Sequence, residues 1–175
     1  KVAVEEVSVP MVVFARTAIS AAVLLPLALR GGGGQLRELR PYWRPLLAFA
    51  VIEMIIPWWL LSDAERRISS SMAGLIIAAV PVLAVIMSRL IGDTERLSTT
   101  RWVGLAVGFA GVAVLVSPEL GAGGDTWAVV EVLLVALGYA IAPLIAAHWL
   151  KDVAALPMIA VCLGFAAVLY TPAAI

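Results

Sequence analysis

WAVVEVLLVALGYAIAPLIAAHWL, residues 127–150, carries one carboxylate, Glu131, and no lysine or arginine. A helix needs about 20 mostly apolar residues to cross a hydrocarbon core about 30 Å thick, so this stretch reads as a membrane span. The pattern repeats in both directions from it. Apolar stretches run over Val9–Leu29, Pro45–Leu61, Met72–Ile91 and Trp102–Ser117 on one side, and Leu156–Ile175 on the other. Short polar links at 30–44, 62–71, 92–101, 118–126 and Lys151–Asp152 separate them, so successive helices are expected to run antiparallel. The expected fold is all-α, a polytopic transmembrane helix bundle with six spans.

Composition agrees. Hydrophobic residues make up 63% of the chain and charged residues 14%, with a mean hydropathy of +1.05. An ordinary soluble domain is about half apolar and a quarter charged, and a water-soluble fold could not bury this much apolar surface. Formal net charge is zero and the bases fall in short clusters between spans, so no basic face is offered to nucleic acid. The lone cysteine, Cys162, lies inside an apolar span and reads as a small core hydrophobe.

Lysine and arginine counting orients the bundle, because positive links stay in the cytoplasm. Arg30, Arg37, Arg40 and Arg44, then Arg89, Arg96 and Arg101, then Lys151 mark one side, while the other has Lys1, Arg66 and Arg67. The visible N-terminus is therefore expected outside, in the cytoplasmic (inner) membrane of a bacterium. Trp43, Trp102 and Trp149 then fall at the inner boundary and Trp127 at the outer one, as an aromatic belt requires. The chain opens at Lys1 and stops at Ile175 within an apolar run, with Glu5 and Glu6 where a signal peptide would be basic. It reads as a fragment that has lost a preceding span.

Val9-Pro10-Met11-Val12-Val13 opens the first span and Leu156-Pro157-Met158-Ile159-Ala160 the sixth, and Ala22-Val23-Leu24 recurs as Ala167-Val168-Leu169. An offset of five helices reverses direction across the membrane, which points to inverted-topology repeats. From Ala73 through Pro81, then Glu95, Leu97, Trp102, Gly104, Gly108, Gly111 and Val112, the chain resembles the fourth and fifth helices of an EamA-type repeat of the drug/metabolite transporter superfamily. Asp93-Thr94 departs from the compact Gly-Glu turn of many members. The resemblance implies two inverted five-helix repeats in the whole protein. Residues 1–120 would be most of the first repeat without its first helix, and 121–175 the start of the second. It also implies transport of small metabolites, amino acids or drugs, efflux included, with no cofactor.

Arg16, Glu53 and Glu131 are the ionisable residues well inside spans, and each would cost about 2.5 kcal/mol or more if left unpaired at the bilayer centre. Arg16 and Glu53 fall at nearly one depth and are the first expected pair, with Glu131 the alternate partner. The pair reads either as a structural tie or as contact with an anionic solute or a coupling proton. Pro57, Pro81 and Pro143 interrupt the second, third and fifth spans and free backbone carbonyls, a feature of transporter sites and of plain kinks alike. Trp58 could wall a cavity, and Tyr139 beside Gly138 could touch solute with its polar tip. The substrate or coupling candidates are thus Arg16, Glu53, Trp58, Pro81, Glu131 and Tyr139. Gly104, Gly108 and Gly111 form a small-residue face for helix packing within the bundle or at a homodimer seam. Ser69, Ser70 and Ser71 are expected to cap the third span, and no metal cluster or phosphate loop is visible.

The function expected is a secondary carrier for a small solute in the lipid bilayer, not an enzyme. A structural or lipid-flipping subunit is the alternative. An intramembrane enzyme would need a nucleophile with a base or a carboxylate-metal cluster, and neither is visible here.

Overall fold

The computed structural model describes residues 8–30, 34–92, 98–121 and 125–174. Every element among them is helical: α1 (Val9–Arg30), α2 (Gly34–Glu38), a 3₁₀ turn at Arg40–Tyr42, α3 (Trp43–Ala50), a π-helical turn at Val51–Ile55, α4 (Ile56–Ala64), α5 (Ser70–Ile77), α6 (Val80–Leu90), α7 (Thr99–Gly121), α8 (Thr126–Trp149) and α9 (Ala155–Ala174). Five helical runs are long and apolar enough to cross a membrane, and α7 adds a shorter apolar stretch over Thr99–Val114. The chain is a multi-pass membrane bundle. Asp93-Thr94, Glu95 and Leu97 of the family-like stretch lie outside the described residues, as do Lys1, Glu5, Glu6 and Arg96.

The second span is longer than its apolar core. Helical structure runs from Leu36 to Ala64, through Arg37, Arg40 and Arg44, which the sequence reading left in a link. Long basic side chains carry their charge to water while the backbone stays helical, so charge alone does not mark a helix end. The third span breaks as expected: Ala79 N–H turns back to the Ile76 carbonyl (3.0 Å), and α6 restarts with Pro81 in its first turn. Pro81 has no N–H to continue the α5 ladder. The fifth span does not break, because α8 runs uninterrupted through Pro143. Ser69 caps α5, its hydroxyl accepting from Met72 N–H at 3.2 Å.

Helix α8 is the central post. Its Ala128, Val132, Val135, Ala136, Ala140 and Ala142 are fully buried, and α3, the π turn, α4, α5 and α6 all pack on it. Small side chains let these helices approach closely, and packing rather than water exclusion drives helix association in lipid. The longest interface joins α1 to α9, the two helices that carry the recurring Pro-Met motif. Cys162 of α9 is buried as a core residue against α3, its thiol 3.7 Å from the Leu46 carbonyl.

Helix α7 stands apart, touching mainly α5 and α6. A Cβ added at Gly104, Gly108 or Gly111 would meet nothing within 4 Å, so the glycine face does not pack within the described bundle. The contact side holds Leu105 and Val112, the latter against the α5 core. At 3.6 residues per turn that side lies about a quarter turn from the glycines. Trp43, Trp102, Trp127 and Trp149 are all exposed, as residues of an interfacial belt are.

Candidate functional site

The site is built on the irregular middle of the second span. Over Val51–Ile55 the backbone widens into a π turn, and Ile56 N–H bonds to the Val51 carbonyl. In that register the Ile52 carbonyl would need a donor from residue 57, which is proline and has none. Pro143 likewise offers nothing to the carbonyl four residues earlier, that of Tyr139. Proline thus removes a backbone donor from the middle of each of the two spans, and π turns of this kind collect at functional sites.

Gly138 on α8 is what lets the two spans meet there. An added Cβ would stand 2.6 Å from the Ile52 oxygen and 3.2 Å from Pro57 Cγ. The first distance is too short for any real contact, and the obstacle is backbone, which cannot swing aside. Tyr170 of α9 closes the other side of the turn. Its hydroxyl donates to the Ile55 carbonyl at 2.7 Å, and its ring stacks on Trp59 with centroids 5.9 Å apart.

Around this turn the structure gathers four of the expected residues. The Arg16 guanidinium of α1 lies over the Trp58 ring, 4.2 Å from its centroid. Tyr139 lies beside the Trp58 indole and within electrostatic reach of both Glu53 and Arg16. Glu53 is half-buried, and its Oε2 is fully buried without a hydrogen-bond partner. The expected ion pair between Arg16 and Glu53 does not form: the arginine takes the indole face instead, a cation–π contact that attracts the guanidinium without neutralising its charge. Pro81 is not a member of this group by any contact described and is exposed where the third span breaks.

Glu131 also departs from the alternate pairing with Arg16. It is 4% exposed and accepts from Arg67 Nη2 at 2.5 Å, while Arg67 also binds Asp63 one turn earlier and reaches Asp125 at 3.4 Å. Asp125 in turn caps α8, accepting from Ala128 N–H at 3.1 Å. One arginine so ties the end of the second span to the start of the fifth. Burial works against the Arg67 charge, but the hydrogen bond and charge of Glu131, with Asp63 and Asp125, outweigh it and hold the guanidinium above its ordinary range. The sequence reading missed Arg67 because it sits in a link, where a base is normally solvated. It missed Tyr170 and the role of Gly138 because neither partner carbonyl has a side-chain signature.

At the opposite end of the same helices the packing opens. A cavity of about 880 Å³ lies between α3, α6 and α8, lined among others by Arg44, Ser88, Ile141 and His148. Ala48 and Ile141 form its deepest walls, within about two turns of Glu53 and Tyr139. His148 sits edge-on to Trp149 at 4.7 Å, at the rim. Among the described residues, no three His, Cys, Asp or Glu side chains are grouped to hold a metal ion.

The EamA-like transporter family matches residues 1–117. The chain is similar to an uncharacterized inner membrane transporter, YedA, of Escherichia coli K12, and to its namesakes in strains O6:H1 and O157:H7. Each is 27% identical over 122 residues, which is 70% of this chain and 39% of the relative. The match therefore spans about two-fifths of the relatives' length. No solved structure matches the chain significantly.

Proposed function

Since this chain belongs to the EamA-like transporter family, we propose that the protein is a secondary carrier that moves a small metabolite, amino acid or drug across a bacterial inner membrane by alternating access. The observation that carries the proposal is the Glu53 carboxylate, held in a π turn with one oxygen buried and unpartnered, near Tyr139, which adjoins the Trp58 indole that Arg16 covers. A structural carboxylate at this depth would be paired, because an unpaired one is costly; a carboxylate kept for a solute ammonium group or a coupling proton would not.

In this reading Arg16 and Glu53 offer opposite charges to solute, Trp58 and Tyr139 wall the site, and Pro57 and Pro143 supply free carbonyls. Glu131 belongs to the Arg67 tie and Pro81 to the flexing of the third span. The tie holds the second and fifth spans together at one end while the cavity beside Arg44 and His148 opens at the other. By the distribution of basic links the open end is cytoplasmic and the visible N-terminus is outside. The two halves that rock would be the inverted repeats, meeting near residue 120.

The test is counterflow uptake of a labelled amino-acid and metabolite panel into liposomes containing the full-length parent protein, with Glu53→Gln and Arg16→Ala in parallel. Saturable uptake lost in both variants, with their elution profiles unchanged, is expected. Uptake that persists in both removes the cluster from the mechanism. No uptake across the panel favours the alternative, a structural or lipid-flipping subunit.

A further inference from the structure

A second cavity, of about 480 Å³, lies on the far side of the second span, between α3 and α9. Its walls are almost wholly apolar: Leu46, Leu47, Cys162 and Phe165, with Trp43 and Arg40 at one end. Trp43, Leu47 and Phe165 are exposed, so the groove opens sideways where the bundle meets lipid. The thiol of Cys162 against the Leu46 carbonyl closes its floor.

The depth of the groove is informative. From Arg40 to Ala50, its innermost wall on the second span, is about 15 Å of helix; from the start of α9 at Ala155 to Phe165 is about the same. That is about half of a hydrocarbon core about 30 Å thick, or one leaflet. The apolar slot therefore runs from the headgroup level to the midplane.

Charge marks the headgroup end. Arg30, Arg37 and Arg40 lie in the stretch before α3 and Arg44 in its first turn, and all four are exposed. Arg40 makes no ion pair among the described residues, and no carboxylate lines the groove. Basic pockets between helices at a membrane surface bind anionic headgroups, and juxtamembrane arginine clusters are drawn to anionic leaflets. Trp43 stands at the same level, with the Arg44 guanidinium 5.3 Å from its ring centroid.

We propose that this groove is a binding site for one anionic phospholipid, with an acyl chain between α3 and α9 and the phosphate on Arg40. The site is separate from the Glu53 cluster and does not depend on what that cluster carries. A lipid seated there touches the second and sixth spans at once, so it would brace the interface on which Tyr170 holds the π turn.

The test is native mass spectrometry of the full-length parent protein released from detergent with equal amounts of phosphatidylglycerol and phosphatidylcholine. Preferential retention of phosphatidylglycerol is expected, and Arg40→Gln should lower that preference by about fivefold, the factor one basic residue contributes beside an anionic surface. Leu47→Trp, which fills the slot, should lower retention of the same lipid in a protein that elutes unchanged. Equal retention of the two headgroups, or a preference untouched by both substitutions, overturns the proposal. A second measurement guards against misfolded variants: maleimide labelling of Leu47→Cys, in a Cys162→Ala background, should be fast in lipid-free detergent and slowed by phosphatidylglycerol. Labelling already blocked without lipid means that another helix covers the groove, which also overturns it.

Discussion

The second and fifth spans meet at two polar places that handle charge in opposite ways. Near their shared end Arg67 gathers Asp63, Asp125 and Glu131, and the buried carboxylate is paired. In the π turn of the second span, at the level of Gly138 of α8, Glu53 has a buried oxygen with no partner, and Arg16 is engaged with an indole. The satisfied cluster is what a bundle needs to hold its shape; the unsatisfied one is what it can afford only if something else arrives to complete it. That contrast separates a structural carboxylate from a solute-binding candidate better than depth in the membrane does, since both lie within spans.

The contrast can be broken most directly at Arg67. Arg67→Ala leaves Glu131 buried and unpaired, and should destabilise the full-length protein by about 2–4 kcal/mol, somewhat below the usual cost of breaking a buried pair because Arg67 is partly exposed. Thermal unfolding in detergent reads the loss, and Glu131→Leu added to it should recover most of the midpoint; failure to recover means that Arg67 acts through something other than this tie. Next in size is Gly138→Ala, which drives a methyl into the Ile52 carbonyl and should cost about 1–3 kcal/mol by overpacking. An unchanged melting profile there would mean that the two spans do not approach as closely as described.

Tyr170→Phe keeps the stacked ring but removes the hydrogen bond to Ile55, and about 1 kcal/mol is expected. The smallest stability effect belongs to Glu53→Gln, whose unfolding midpoint should stay level or rise, because a neutral amide is cheaper to bury than a carboxylate. A large drop in that midpoint would place Glu53 in the same structural class as Glu131 and erase the distinction. Uptake is the complementary readout: it should fall in Glu53→Gln and survive in any Arg67 double variant that still folds.

Much of the architecture was legible in the chain itself. Long apolar runs cannot be hidden from water except in a bilayer, so the spans followed from composition, and the serine cap and the break at Pro81 followed from local backbone chemistry. Prolines were less decisive than their chemistry suggests: Pro81 opens a new helix after a break, Pro57 follows a π turn, and Pro143 sits inside an unbroken helix. What differs is the support around each, which is not written next to the proline.

The apolar spans, and Arg16, Glu53 and Glu131 as the ionisable residues inside them, were determined by sequence alone. Who pairs with whom was decided only by tertiary structure. Arg16 over Trp58, Arg67 on Glu131, and Gly138 against the Ile52 carbonyl join residues far apart in the chain, and each is settled by the azimuth at which two helices face each other. Apolar periodicity fixes that azimuth in a soluble helix, because water selects one face. Spans whose faces are all apolar leave it to side-chain packing and to the few polar groups that must find partners.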